Sequence, residues 1–287
     1  MLGTVAGVAT AFALVVAAAA PARAQASASA GRWELSAGAQ LASPRGWVQV
    51  RESEIDGTRL RYGPDLGVRR DHAWSLGVRY RASHRTAFTL DIESRALDGS
   101  ATLPRDVYFN GTTLAGGATL ATRTHFPRFL QFTGTVERRL AAMGNGATLA
   151  ARAGLTFVAL TFVLHGTLAP GSVLRETSED FVTQELPVPV VGLVFQRPLG
   201  RRVALVASAA GGGLPRVNSL RHEGGRVMLS QSHADLSLGL RYTLSPAWRV
   251  TGGYHFTHFA QHETSAEDGN DIVLDEHAAR LVLAWGF

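Results

Sequence analysis

Apolar and polar residues alternate along most of this chain. Trp74, Leu76, Val78 and Tyr80 interleave with Ser75, Gly77, Arg79 and Arg81, and Phe88, Leu90 and Ile92 with Thr89, Asp91 and Glu93. Further on, Leu236, Leu238, Leu240 and Tyr242 alternate with Asp235, Ser237, Gly239 and Arg241, and Trp248, Val250, Tyr254 and Phe256 with Arg249, Thr251, Gly253 and His255. A period of two places one set on each face of a β-strand. The pattern predicts ten strands, near 32–42, 72–82, 86–97, 124–140, 147–165, 187–197, 202–211, 231–244, 247–262 and 273–287. Connections at 83–85, 141–146, 198–201 and 245–246 are short, whereas those at 43–71, 98–123, 166–186, 212–230 and 263–272 are long. Short turns on one side and long loops on the other predict an all-β fold, an antiparallel up-and-down transmembrane β-barrel of about ten strands, with eight as the alternative count.

A soluble barrel also alternates, so the direction of each face must be argued. Its polar face would carry Lys, Glu and Gln, but here that face is crowded with Ser36, Gly38, Ser75, Gly77, Ser237, Gly239, Gly253 and Gly286. Small residues suit the inside of a narrow barrel, where side chains from facing strands compete for room. Trp33, Tyr80, Phe88, Phe195, Tyr242, Trp248, Trp285 and Phe287 fall on the apolar face at the short-turn ends, and Trp74, Phe126 and Phe256 at the opposite ends. Two aromatic girdles bounding an apolar band predict a lipid-facing exterior.

Composition agrees with that reading. Of 287 residues 46% are hydrophobic and only 18% charged, below the ~25% of an average soluble domain. All 28 basic side chains are Arg, which accounts for the high pI without a basic patch and argues against a nucleic-acid partner. Residues 5–20 form an unbroken apolar segment followed by Pro21-Ala22-Arg23-Ala24, so residues 1–24 read as a signal peptide cleaved before Gln25, with 25–287 as the barrel domain. The sequence contains no Cys, which removes a lipoprotein anchor and suits passage through an oxidising periplasm.

The signal segment, the alternating strands and above all the last strand, with Leu281, Leu283, Trp285 and Phe287, resemble the small Gram-negative outer-membrane β-barrel proteins, the group of OmpA-like and OmpW-like barrels. The resemblance implies outer-membrane localisation among lipid, and reading of Leu281, Leu283, Trp285 and Phe287 by the barrel-assembly machinery. Ten strands depart from the eight of OmpA-like and OmpW-like barrels.

Inward parity assigns a lumen charge network to Glu34, Arg79, Arg81, Asp91, Glu93, Arg95, Glu137, Arg139, Arg152, Arg241, Arg249, Glu276 and Arg280, with Asp235 and Arg32 beside them. In a closed barrel these charges must pair, because a lone buried charge is costly; in an open one they would line a narrow, anion-favouring passage. The expectation is a structural or weakly pore-forming barrel without cofactor, metal or catalytic residue.

The competing readings are an enzyme acting on envelope lipid or peptide at the outer rim and an adhesin using the long loops. For an enzyme, His233 and Asp235 share a face, and Thr257 lies between His255 and His258, but His255 faces in while His258 and His262 face out. A ten-strand count is also that of the omptin-type outer-membrane proteases, whose paired aspartates are not evident here. Among the loops, Asp56-Gly57 reads as a hairpin turn between Trp47–Val50 and Thr58–Tyr62. Glu263, Glu267, Asp268, Asn270 and Asp271 offer oxygen ligands without EF-hand spacing. Asn110-Gly111-Thr112 fits a glycosylation pattern of little meaning in a bacterial envelope, and Arg123 and Arg128 stand near Phe126 where lipid phosphates would lie.

Overall fold

The computed structural model describes residues 32–52, 55–109, 111–124, 129–167, 176–183, 186–218, 227–265 and 268–287. Ten strands close into one antiparallel barrel: β1 (Trp33–Glu52), β2 (Asp71–Arg81), β3 (Thr86–Ala96), β4 (Phe129–Ala142), β5 (Thr148–Thr167), β6 (Val188–Pro198), β7 (Val203–Asn218), β8 (Met228–Thr243), β9 (Trp248–Thr264) and β10 (Asp268–Gly286). Each pairs with its neighbour in the chain, and β10 returns to β1 from Glu34 opposite Gly286 to Glu52 opposite Asp268. At the seam, the Trp33 amide donates to the Phe287 carbonyl at 3.1 Å and the Phe287 amide to the Trp33 carbonyl at 2.9 Å. The tight turns lie at this end. Ser83 Oγ accepts from the amides of Arg85 and Thr86, Asn145 Oδ1 from Ala147, and Ser245 Oγ from Trp248, the local bonding that makes Ser and Asn turn formers.

On the outer face of this half, Leu35, Leu76, Leu90, Leu238, Leu240, Leu281 and Leu283 are exposed. Around the seam, aromatic rings meet as a girdle: Trp33 with Tyr80 at 4.7 Å, Trp248 with Trp285 at 6.1 Å and Trp285 with Phe287 at 4.5 Å. A continuous apolar belt of this kind is a membrane surface. One girdle residue departs from the expectation: Phe195 is buried with Ala147 and Ala207, with Met143 and Leu149 packed against that cluster, so the β4–β5 turn takes it out of the lipid. Of the second ring, Trp74 is exposed and Phe256 packs on His277, while Phe126 lies outside the described residues.

Towards the other end the polarity of the faces inverts. The outward side chains become His258 paired with Asp275, and His262 with Asp271. The inward ones become Val48, Val50, Val158, Leu160, Phe259, Ile272 and Leu274, buried in a single cluster with Leu60, Tyr62, Leu66, Val68, Leu97, Leu103, Val107, Phe109, Leu114 and Leu120 from the long connections. These connections form an apolar plug that fills the outer part of the lumen, and strands that leave the bilayer are bathed by water outside and by the plug inside. Burial, and secondarily the charge of Glu276, pushes the Tyr62 phenol above its ordinary value. A proton held more tightly in the folded state stabilises it below the unfolded pKa of about 10 and is lost as pH rises beyond it. Stability is therefore expected to fall above about pH 10, less steeply in Tyr62→Phe, as read by urea unfolding across pH.

The inversion corrects several expected boundaries. β1 runs to Glu52, and residues 263–272 are mostly strand, with Glu263 buried inward and Asp271 outward, so the acidic segment is not a loop that could wrap a cation. The first hairpin exists, but Asp56 pairs with Arg51 and the Gly57 amide donates to Val50 at 2.7 Å. Asp56-Gly57 therefore lies on the returning arm of the hairpin and not at its turn. The outer half of β5 pairs with Thr119–Thr124 on one side and Glu176–Thr183 on the other. The signal segment, Asn110, Glu267 and Arg128 lie outside the described residues.

Gly67 anchors the plug. Its φ is +71°, and a Cβ would stand 2.1 Å from the Ser100 carbonyl oxygen. Gly67→Ala is expected to cost about 1–3 kcal/mol from backbone conformation alone, seen as faster proteolysis of the connection at 57–70.

Candidate functional site: the charged lumen

Beneath the plug, β3 brings Glu93 and Arg95 to the same inner face by their spacing of two. Arg95 is 2% exposed. Its Nε and Nη2 donate to Glu93 Oε1 at 2.8 and 2.6 Å, its Nη1 reaches Glu276 Oε2 on β10 at 2.7 Å, and its plane lies 4.9 Å from the Phe129 ring. Glu276 also accepts from Thr257 at 3.1 Å, and at the start of β2 Asp71 Oδ1 accepts from the Ala96 amide at 3.0 Å.

From Glu93 the network continues across β1. Gln40 Nε2 donates to Glu93 Oε1 at 2.8 Å, which turns its carbonyl oxygen to His255 Nδ1 at 3.0 Å, and His255 Nε2 faces Asp235 Oδ2 at 2.6 Å. Both ring nitrogens thus face an oxygen. Arg280 donates to Ser75 Oγ at 3.1 Å and lies 3.8 Å from Glu93 Oε2.

Nearer the turns, Arg79 and Glu137 form a two-pronged pair at 3.0 and 2.6 Å, Arg249 meets Glu34 at 2.7 Å, and Arg241 donates to Gln196 at 3.2 Å. Arg81 and Arg139 stand at the ends of β2 and β4, with Arg139 exposed. Two acids face five arginines in this layer, so the lumen's surplus of positive charge lies at its periplasmic end. Between the layers is a cavity of about 240 Å³ on which Asp91, Glu93, Arg95, Arg152, Asp235 and Arg280 all open.

Gln40 and Asp71 were not among the residues singled out from sequence. Gln40 is a neutral link that parity places inward but does not mark, and Asp71 precedes the apolar run from which β2 is recognised. His233 and Asp235 both face the cavity, but Thr257 is bound to Glu276, and His258 and His262 are tied to carboxylates on the outer face. Among the described residues there is no cluster of His, Asp and Glu arranged to hold a metal ion.

The architecture is that of an integral outer-membrane β-barrel. It is similar in fold to the outer membrane protease OmpT from Escherichia coli, with a TM-score of 0.50 and 10% identity over 88% of this chain and 97% of that one. Looser likenesses are found to the translocator domain of the autotransporter NalP from Neisseria meningitidis (TM-score 0.40, 12% identity, 89% and 88% covered) and the outer membrane protein OprG from Pseudomonas aeruginosa (TM-score 0.38, 10% identity, 89% and 96% covered). No protein-family model and no curated protein matches the sequence. At such identity the likeness concerns the fold alone.

Proposed function

We propose that the barrel is a structural outer-membrane protein with a closed lumen and no catalytic activity. The observation that carries this reading is Arg95, almost fully buried between Glu93 and Glu276 directly below the apolar plug. A hydrated passage would surround such a group with water and ions; here carboxylates and an aromatic face do so. The enzyme reading has less support, because the acid beside Asp91 on the same face, Glu93, is already bound by Arg95 and Gln40.

Purified protein in planar bilayers is expected to give no steady conductance. Replacing residues 57–70 with a flexible linker should open a current that favours anions, because the periplasmic layer is net positive. Stable channels from the unaltered protein would reject the closed-lumen reading.

The partners proposed are membrane lipid on the apolar belt and the barrel-assembly machinery at the last strand. Deleting Phe287 removes a ring whose burial in lipid is worth about 1.5–3 kcal/mol, and the truncated chain is expected to be degraded in the periplasm. Normal outer-membrane levels of that variant would show that Phe287 is not read.

A further inference from the structure

Besides the surplus arginines at the periplasmic end, two charged groups of the lumen stand without a direct partner on the mid-lumen cavity. Asp91 on β3 and Arg152 on β5 both line the mid-lumen cavity. Neither has a hydrogen bond or ion pair among the described residues, although Arg280 and Arg152 are the cations whose fields Asp91 feels. Across the cavity on β8, the His233 ring lies tilted against Phe259 at 5.1 Å, and its Nε2 is buried with no partner among the described residues. The wall between carries two hydroxyl pairs, Thr133 with Thr156 at 2.9 Å and Ser208 with Ser237 at 2.7 Å. Asp235, held by His255, keeps 35% side-chain exposure in mid-barrel, so the space is open to a small molecule and is not packed shut.

One unpaired carboxylate and one unpaired guanidinium on the walls of a single small cavity are complementary to a molecule that carries both opposite charges. A lone anion would engage Arg152 and leave Asp91 without a direct partner, and a lone cation the reverse, so either would satisfy only one of the two groups. The volume of about 240 Å³ is many times the ~10–15 Å³ that a single water needs, room for a ligand of amino-acid size. With the outer end plugged, such a solute arrives through the arginine-lined periplasmic end.

We propose that this cavity is a binding site for a small zwitterion, its carboxylate on Arg152 and its ammonium on Asp91, with the Thr and Ser hydroxyls available to its polar atoms. The site goes beyond the structural reading and does not depend on it, because binding in micelles is indifferent to whether the lumen conducts.

The test is calorimetric titration of the detergent-solubilised full chain with glycine and β-alanine as zwitterions, acetate as the anion alone and methylammonium as the cation alone. At least one zwitterion is expected to bind, with acetate and methylammonium at least tenfold weaker. Asp91→Asn and Arg152→Gln should each weaken zwitterion binding at least tenfold, while His262→Ala, paired with Asp271 on the outer face and away from the cavity, should leave it unchanged. Binding of neither zwitterion would overturn the proposal and leave a water-filled cavity, and acetate binding as tightly as the zwitterions would overturn it in favour of an anion site. These comparisons on the unaltered protein decide the matter even if a lumen variant fails to fold.

Discussion

Arg95→Met is expected to lower the unfolding free energy of the barrel by about 3–5 kcal/mol, the range for breaking a buried ion pair from one side. The guanidinium satisfies Glu93 and Glu276 together, and its loss leaves two carboxylates facing a cavity and an apolar plug. Urea unfolding in lipid vesicles measures the change. Two companions sharpen it. Arg79→Met removes a pair that is partly exposed at the periplasmic end, so its cost should be nearer about 1 kcal/mol. The triple replacement Glu93→Gln, Arg95→Met, Glu276→Gln should recover part of the loss, because the stranded charges are gone. Equal small losses for Arg95→Met and Arg79→Met would mean that water reaches both, and the closed lumen would fail with them.

Leu238→Arg should cost about 2–4 kcal/mol if it stands near the bilayer midplane, because Leu238 is exposed on the outer face of β8. Ser237→Arg, one residue away, turns its charge into the cavity beside Asp235 and is expected to cost less. The same change of side chain at adjacent positions isolates the face from every other variable. Equal losses, or the reverse order, would place the apolar belt in water.

The lower half of the barrel was legible because lipid outside and charge inside impose one unbroken period of two, and Leu236 to Tyr242 alternate with Asp235 to Arg241 on β8 as they do in the sequence. The upper half was not. At His258 and Asp275 on the outside, and at Val48 and Ile272 on the inside, the faces exchange polarity while the strands continue, so a reading that follows one apolar face ends each strand too soon. Periodicity alone therefore ends β1 near residue 42 and leaves 263–272 between strands, where the structure continues the barrel. The plug follows the same logic: Leu60, Leu66, Leu97 and Leu120 sit in connections with no periodicity, and only their meeting inside the lumen gives them a common core. In the charged lumen, parity gives the direction of each side chain but no partner. The bonds from Arg95 to Glu276 and from Gln40 to His255 join strands far apart in sequence.

The seam between β1 and β10 has a kinetic consequence. Glu34 finds Gly286 and Glu52 finds Asp268, contacts between strands from opposite ends of the barrel's sequence, so closing the cylinder demands the most distant encounter the chain makes. Non-local pairing of this kind is slow, and until it occurs both strands present unpaired edges able to capture other chains. Substitutions that weaken the seam should therefore act first on the yield of assembly, by prolonging the life of the open sheet, and only secondarily on the stability of barrels that have closed.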